Sequence, residues 1–440
     1  MSNFDLALLS FPVMLLLIFL RVPIAAAMGL TGFIGTWIVL GRPDPVLNQL
    51  KSLTYDTFSS YSLSIVPLFL LMGQLASRSG MSEALFRSAA DWLGHRRGGV
   101  AMAAVGACAG FGAVCGSSLA TASTMGQVAL PEMRRYGYSD ALSTGVLAAG
   151  GTLGILIPPS VILVIYAIIT EQNVVKMFAA AMIPGILAAA GYMAVVAIYA
   201  RLRPDAAVTA PRVDYATRFR NLTGVWPVIA IFFLVIGGIY VGWFTPTEGA
   251  AVGAAAVGLY AALRGALTWK GLGESLLETA KTSAMIFLIL LGAQVFNGFL
   301  AFTQAPVNIA DWVTEQGFAP YLVLAILLAI YLIFGCVMDS LSMILLTIPV
   351  FFPIVEALDF GLTTEETAIW FGILVLIVVE VGLITPPVGM NLFIINSMAR
   401  DIPITRTYSG VAPFVASDLI RVVILAAFPL ITLWLVRVLF

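Results

Sequence analysis

The sequence predicts an all-α polytopic membrane protein made of two inverted repeats, each with five spans and one re-entrant hairpin. Three observations carry that reading: the composition, an ordered internal repeat, and a Pro-Pro pair deep in one apolar segment of each half. Of 440 residues, 60% are hydrophobic and only 10% charged, and the mean hydropathy is +1.02. Such a chain is built to bury its apolar surface in lipid. A formal net charge of −1 argues against a nucleic-acid partner. Cys108, Cys115 and Cys336 all sit in apolar stretches, so they outline neither a disulfide framework nor a metal site.

Apolar runs near the ~20 residues that cross a bilayer fall at 4–20, 23–40, 61–77 and 177–200, and resume at 225–241. Asp5 precedes the first run and Arg21 follows it, so no cationic leader region is present. Residues 4–20 read as a retained span with the N-terminus outside, not as a cleaved signal. Arg78, Arg87, Arg96 and Arg97 mark the loop 78–98, and Arg134 and Arg135 mark 131–140. The positive-inside rule places both loops in the cytoplasm. The small and apolar residues at about 99–130 therefore enter and leave on the same side, as a hairpin with Cys-Gly-Ser-Ser (115–118) at its tip. A broken helix at 141–170 and the span at 177–200 follow. The loop with Arg201, Arg203, Arg212, Arg218 and Arg220 is cytoplasmic, and it divides a first repeat (1–220) from a second (221–440).

The second half restates the first. In order, Pro23 matches Pro246, Asp91-Trp92 matches Asp311-Trp312, Ser118-Leu119 matches Ser340-Leu341, and Pro131 matches Pro353. Pro158-Pro159 then matches Pro386-Pro387, and Pro184 matches Pro413. This sets a second hairpin at about 321–353 and a second broken helix at 369–397. An odd number of crossings per half inverts the second copy and puts both termini in the periplasm. Charge agrees: the flanking loops 302–320 and 354–368 hold Asp311, Glu315, Glu356, Asp359, Glu365 and Glu366 but no Lys or Arg. Segments 41–60 and 264–284 are more polar and read as interfacial connectors. They would join a scaffold, the first two spans of each half, to a moving core, as in an elevator.

A Pro-Pro pair removes two donors and clashes with the carbonyls four residues earlier. Those belong to Gly154 and Ile155 before Pro158, and to Gly382 and Leu383 before Pro386-Pro387. Lipid cannot solvate freed carbonyls, so each break must face protein, water or an ion. Matched broken helices in two halves point to a transporter's ion and substrate site. Ser117 and Ser118 at one tip, and Asp339, Ser340 and Ser342 at the other, add oxygens. With the break residues Gly154, Ile155, Pro158, Gly382, Thr385 and Pro387, they make two candidate sodium sites, one per tip and break. Taken singly, such serines are more simply explained by helix packing.

Glu380 lies inside an apolar run, where a carboxylate costs about 2.5–3.5 kcal/mol on insertion scales. It can ligate a cation, bind a proton or pair inside the bundle. Its counterpart in the first repeat is Thr152, so the two halves cannot use this position alike. Glu248 in Thr-Pro-Thr-Glu reads as a helix cap. Gly106, Gly110, Gly112 and Gly116 read as helix packing, because no P-loop lysine follows them. The only histidine, His95, is in a basic loop, so a serine hydrolase lacks its base. An aspartyl dyad lacks a second tip aspartate. The protein is not expected to be an enzyme, and broken helices closed by hairpins argue against an open channel.

The run Gly150 through Ser160, the Cys-Gly-Ser-Ser tip, Met338-Asp339-Ser340 and Gly382 through Asn391 together resemble one family. It is the large membrane subunit of the tripartite ATP-independent periplasmic (TRAP) transporters, and the resemblance covers essentially the whole chain. It implies a fold similar to sodium-coupled elevator transporters in a bacterial inner membrane. It also implies import of an organic acid such as a C4-dicarboxylate. The implied partners are a small four-helix membrane subunit, a periplasmic substrate-binding protein and membrane lipid. No four-helix extension precedes residue 1, so the small subunit is expected as a separate chain. No cofactor is implied beyond sodium as coupling ion. The alternative is a carrier acting alone on dicarboxylate or citrate. No arginine at either tip offers a carboxylate clamp, so helix N-termini, hydroxyls and bound sodium would hold an anion.

Overall fold

The computed structural model describes residues 2–440, and every regular element among them is helical. The first half contains α1 (Asn3–Phe19), α2 (Ile24–Leu40), α3 (Asp44–Ser59), α4 (Ile65–Arg78) and α5 (Met81–Leu93). It continues with α6 (Gly99–Cys115), α7 (Ser118–Arg135), α8 (Asp140–Leu156), α9 (Val161–Ile169) and α10 (Val174–Leu202). A linker carries the short α11 (Tyr215–Leu222). The second half begins with α12 (Trp226–Phe232), a π-helical stretch Phe233–Gly237, α13 (Gly238–Val241), α14 (Pro246–Leu263) and α15 (Trp269–Thr303). Then come α16 (Ala305–Glu315), α17 (Pro320–Gly335), α18 (Ser340–Glu356), α19 (Thr364–Gly382), α20 (Met390–Met398), α21 (Ile404–Ala427) and α22 (Pro429–Leu439).

Local sequence explains where helices start. Ser2 with Asp5, Thr245 with Glu248 and Thr363 with Glu366 each form a reciprocal capping box. By length and composition, α10, α15 and α21 can each cross a membrane unbroken. Three bent pairs can do so together: α3 with α4 (55°), α8 with α9 (46°), and α11 with α12–α13 (41°). Helices α1, α2, α6, α17, α18 and α22 are shorter and apolar.

The order of elements after the linker follows the order before it, consistent with an inverted repeat. The second span of each half packs on the third span of the other, α2 on α15 and α14 on α4. The α2–α15 crossing needs small residues: a Cβ on Gly32 would lie 2.6 Å from the Phe296 Cα, and one on Gly292 2.3 Å from the Ala25 carbonyl. In one respect the structure corrects the sequence reading. The connector expected at 264–284 is not a separate element but the start of α15, a helix of 35 residues. No proline interrupts 269–303, whereas the equivalent stretch of the first half breaks at Ser60–Tyr61. At 1.5 Å per residue α15 is about 50 Å long, more than a bilayer's apolar thickness.

The hairpins and broken helices form the buried centre. α6 and α7 pack on α8, and α17 and α18 on α19; the far end of each broken helix crosses to the other half's hairpin, α20 to α7 and α9 to α18. In both halves a glycine pair lets the hairpin touch the broken helix. A Cβ on Gly112 would meet the Gly154 Cα at 2.6 Å, and one on Gly335 the Gly382 Cα at 3.0 Å. Ion pairs tie the halves at both ends. Arg134 Nη2 donates to both oxygens of Asp401 at 3.0 and 2.9 Å, while Lys176 pairs with Glu365 at 2.5 Å. In the outer layer Arg78 of α4 pairs with Glu274 of α15 at 3.0 Å.

Candidate substrate and ion site

Each hairpin turns at an N-cap. Gly116, with φ +67°, ends α6, and the Ser117 hydroxyl accepts the Ala120 N–H at 3.4 Å to start α7. Asp339 does the same for α18: it accepts the Ser342 N–H at 3.0 Å and the Ser342 hydroxyl at 2.5 Å. Ser117 and Asp339 thus spend side-chain oxygens on capping. The next residue of the second tip reaches further: Ser340 Oγ donates to Glu380 Oε1 at 2.8 Å. Glu380 is 1% exposed and its Oε2 has no hydrogen-bond partner.

The two breaks differ. Between α8 and α9 the residues Pro158 and Pro159 are buried, and no donor among the described residues reaches the Gly154 or Ile155 carbonyl. Beside them, Thr121 Oγ1 is buried without a partner, and a Cβ on Gly154 would fall 2.3 Å from it and 2.6 Å from the Ser117 carbonyl. These are crowded oxygens of the sort a hard cation takes. The second break does not leave its carbonyls free as the sequence predicted. The Thr385 N–H donates to the Gly382 carbonyl at 3.0 Å and the Asn391 N–H to that of Leu383 at 3.1 Å. A longer gap lets the chain fold back and satisfy them. Pro386 and Pro387 are exposed, and the Pro387 carbonyl accepts the Tyr408 hydroxyl at 2.7 Å. The Thr385 hydroxyl is turned back to the Val381 carbonyl at 2.6 Å.

A cavity of about 150 Å³ collects most of these parts. One wall contains Ser117, Ser118, Ile155, Asp339, Ser340 and Leu383, from both tips and both breaks. The facing wall is Leu70 of α4 with Thr282, Met285 and Ile286 of α15. Thr385 and Pro387 lie outside it, and Gly154, Pro158 and Gly382 form the packing behind it. Larger polar cavities at the basic end, about 510 and 310 Å³, are lined by residues such as Glu83, Arg87 and Asn221 and touch neither break.

Sequence reasoning missed a second polar cluster. Thr152, the counterpart of Glu380, lies 2.9 Å from the Tyr192 hydroxyl, which donates to Asp418 Oδ2 at 2.6 Å. Arg421 Nη2 is 2.9 Å from Asp418 Oδ1, and both residues are buried in α21. The signal was present: an acid and a base three residues apart inside an apolar run, which an intramembrane charge search should flag. Asn391, 0% exposed, was also overlooked; it donates to the Ala148 carbonyl at 3.3 Å and carries the second broken helix onto the first.

Residues 11–431 match the family described as the DctM component of the tripartite ATP-independent periplasmic transporters. This chain belongs to that family. The permease is 37% identical to the C4-dicarboxylate TRAP transporter large permease protein of Pseudomonas aeruginosa, over 92% of this chain and 93% of that one. It is 32% identical to the sialic acid TRAP transporter large permease protein of Vibrio cholerae, over 86% of each. Its fold is similar to the crystal structure of the Alcanivorax borkumensis YdaH transporter, with TM-score 0.63 and 14% identity, covering 87% and 88% of the two chains. The protein is a multi-pass transporter permease of a bacterial inner membrane and not an enzyme.

Proposed function

We propose that the permease is a sodium-coupled importer of a small organic acid. A periplasmic binding protein delivers the acid, and an elevator motion of the hairpin core against α15 and α4 carries it across. The observation that supports this best is the cavity walled on one side by both tips and on the other by α4 and α15. Substrate held there touches parts that move and parts that stay. A cavity of 150 Å³ is one that accepts a benzene-sized molecule. That scale fits a C4-dicarboxylate, the substrate class named for the Pseudomonas relative, better than a nine-carbon sugar acid. No arginine lines the cavity, so sodium at the tip oxygens would neutralise the acid. A site without a strong clamp is workable when a binding protein supplies a high effective concentration. The exposed apolar residues of α1, among them Leu9, Leu16 and Phe19, offer a face on which the small membrane subunit can pack.

Uptake in proteoliposomes tests this reading. The chain with its small subunit and binding protein should import one acid from a panel of organic acids, only with a sodium gradient. Robust sodium-driven uptake by the chain alone would favour the stand-alone carrier. Sodium-free uptake under a proton gradient would move the coupling to a carboxyl group. Orientation has its own check. Cysteines at Arg97 and Arg134 should both be labelled only from the cytoplasm, whereas labelling on opposite sides would turn the hairpin into a span.

A further inference from the structure

We propose that the linker between the two halves, with the loop before α6, binds the headgroup of an anionic phospholipid. This takes from the preceding reading only the orientation of the basic loops, and it does not depend on what is transported. The first observation is a charge imbalance. Arg96, Arg201, Arg203, Arg212, Arg218 and Arg220 form no ion pair among the described residues, although elsewhere Arg78, Arg87, Arg134 and Arg437 do. The nearby acids are committed or apart. Asp91 accepts the Asn221 amide at 2.6 Å, Asp214 caps α11 by accepting the Thr217 N–H at 2.9 Å, and Asp205 sits on an exposed turn.

The second observation is a stacked guanidinium with an unpartnered nitrogen, beside the exposed ones. Arg218 is 3% exposed and lies between the rings of Trp92, at 5.7 Å, and Tyr215, at 5.1 Å. Its Nε donates to the Val213 carbonyl at 3.0 Å, but its Nη2 has no acceptor, and neither has the buried Nδ1 of His95. Burial first, then the charges of Arg218, Arg212 and Arg96, hold the His95 imidazole below its usual range. Stacking fixes Arg218 while leaving donors for phosphate oxygens.

The third observation separates a lipid from free phosphate. Tyr215, Phe219, Leu222 and Trp226 share one face of α11 and the turn after it, and they are 56%, 58%, 40% and 64% exposed. Free phosphate has no use for such a face. A helix with an apolar stripe and flanking arginines lies in the membrane interface, its stripe among acyl chains and its cations at anionic headgroups.

The full chain in detergent, titrated with phosphatidylglycerol, phosphatidylcholine or inorganic phosphate, tests this. Hydrogen exchange over 203–222 and native mass spectrometry are the readouts. Phosphatidylglycerol should protect the segment and stay bound, and the other two should not. The exposed pair R96Q/R212Q should raise the half-saturating phosphatidylglycerol concentration roughly twenty-five-fold, at about a factor of five per cation. F219S, which keeps every charge, should weaken lipid binding as well. Equal protection by phosphatidylcholine, protection by inorganic phosphate, or unchanged binding by R96Q/R212Q would overturn the proposal.

Discussion

The two tip-and-break regions share one pattern of residues and differ in chemistry. In the first half the prolines are buried, the gap between α8 and α9 is short, and the Gly154 and Ile155 carbonyls have no donor. In the second half the prolines are exposed, the gap between α19 and α20 is longer, and the Gly382 and Leu383 carbonyls are taken up by Thr385 and Asn391. Acidic groups divide the opposite way. Asp339 and Glu380 belong to the second half, where the first has Ser117 and Thr152. The first region offers backbone oxygens already free, and the second offers carboxylates. The geometry that brings tips to breaks is alike in the two regions, and each has its own source of electron-rich oxygen.

Closing the breaks should separate the two regions most sharply. With Pro158 and Pro159 replaced by alanine, two new N–H groups can capture the free carbonyls, each worth about 0.5–1.5 kcal/mol net. Anything that needs that break open then weakens on the order of tenfold to a hundredfold. Sodium-dependent uptake should fall accordingly. The same replacement at Pro386 and Pro387 should cost less, because those carbonyls are already occupied. Equal losses would show that the free carbonyls of the first break have no special part.

Next in size are the counterparts Glu380 and Thr152. Glu380→Ala removes the acceptor that Ser340 uses and opens a buried space, at about 1–3 kcal/mol for the orphaned group alone. Uptake and the thermal midpoint should both drop, with Glu380→Gln milder because its amide oxygen still accepts. Thr152→Val leaves the Tyr192–Asp418 bond in place and should change uptake little. A larger loss from Thr152→Val than from Glu380→Ala would put the coupling in the α21 cluster.

Smaller still are the glycine crossings. Gly112→Ala and Gly335→Ala each push a methyl group at backbone, and overpacking of that kind costs about 1–3 kcal/mol. Gly112 meets its partner at 2.6 Å and Gly335 at 3.0 Å, so the first should be the more destabilising in thermal unfolding. The reverse order would mean that the second hairpin is the more rigid.

The helical class and the order of apolar elements were legible in the sequence, because hydropathy acts through the bilayer, which is uniform. Tip and break positions followed from Ser117-Ser118, Asp339-Ser340 and the proline pairs, whose effects are local. What was not legible depends on distant partners. Glu380 could be flagged as costly, but that it accepts from Ser340, forty residues away, follows only from the packing of α18 on α19. Asp418 and Arg421 were legible as a local pair, but their link to Tyr192 and Thr152 was not, because those lie in α10 and α8. The retaken carbonyls at 382 and 383 depended on the path of residues 383–391 after the prolines, and proline chemistry fixes where a helix stops, not where the chain goes next.

The smallest effect concerns two ion pairs, Arg134–Asp401 between the halves and Arg437–Glu366 within the second. The Arg134 hydrogen bond holds the Asp401 carboxyl below its ordinary value of 3.8, and the Arg437 hydrogen bond does the same for Glu366 against 4.5. A carboxyl with a lowered folded-state value binds fewer protons folded than unfolded. Its contribution is complete above the ordinary value and disappears as pH falls through the lowered one. Asp401 is solvent-exposed, so the contribution is small and screened by salt. Asp401→Asn and Glu366→Gln should each lower the thermal midpoint by a constant amount from pH 8 to pH 5. Each curve should merge with that of the unaltered chain only below about pH 4, where the carboxyls protonate. A difference that grows or vanishes between pH 6 and pH 8 would point instead to a group such as His95, whose lowered value makes stability fall as pH drops below the ordinary 6.5.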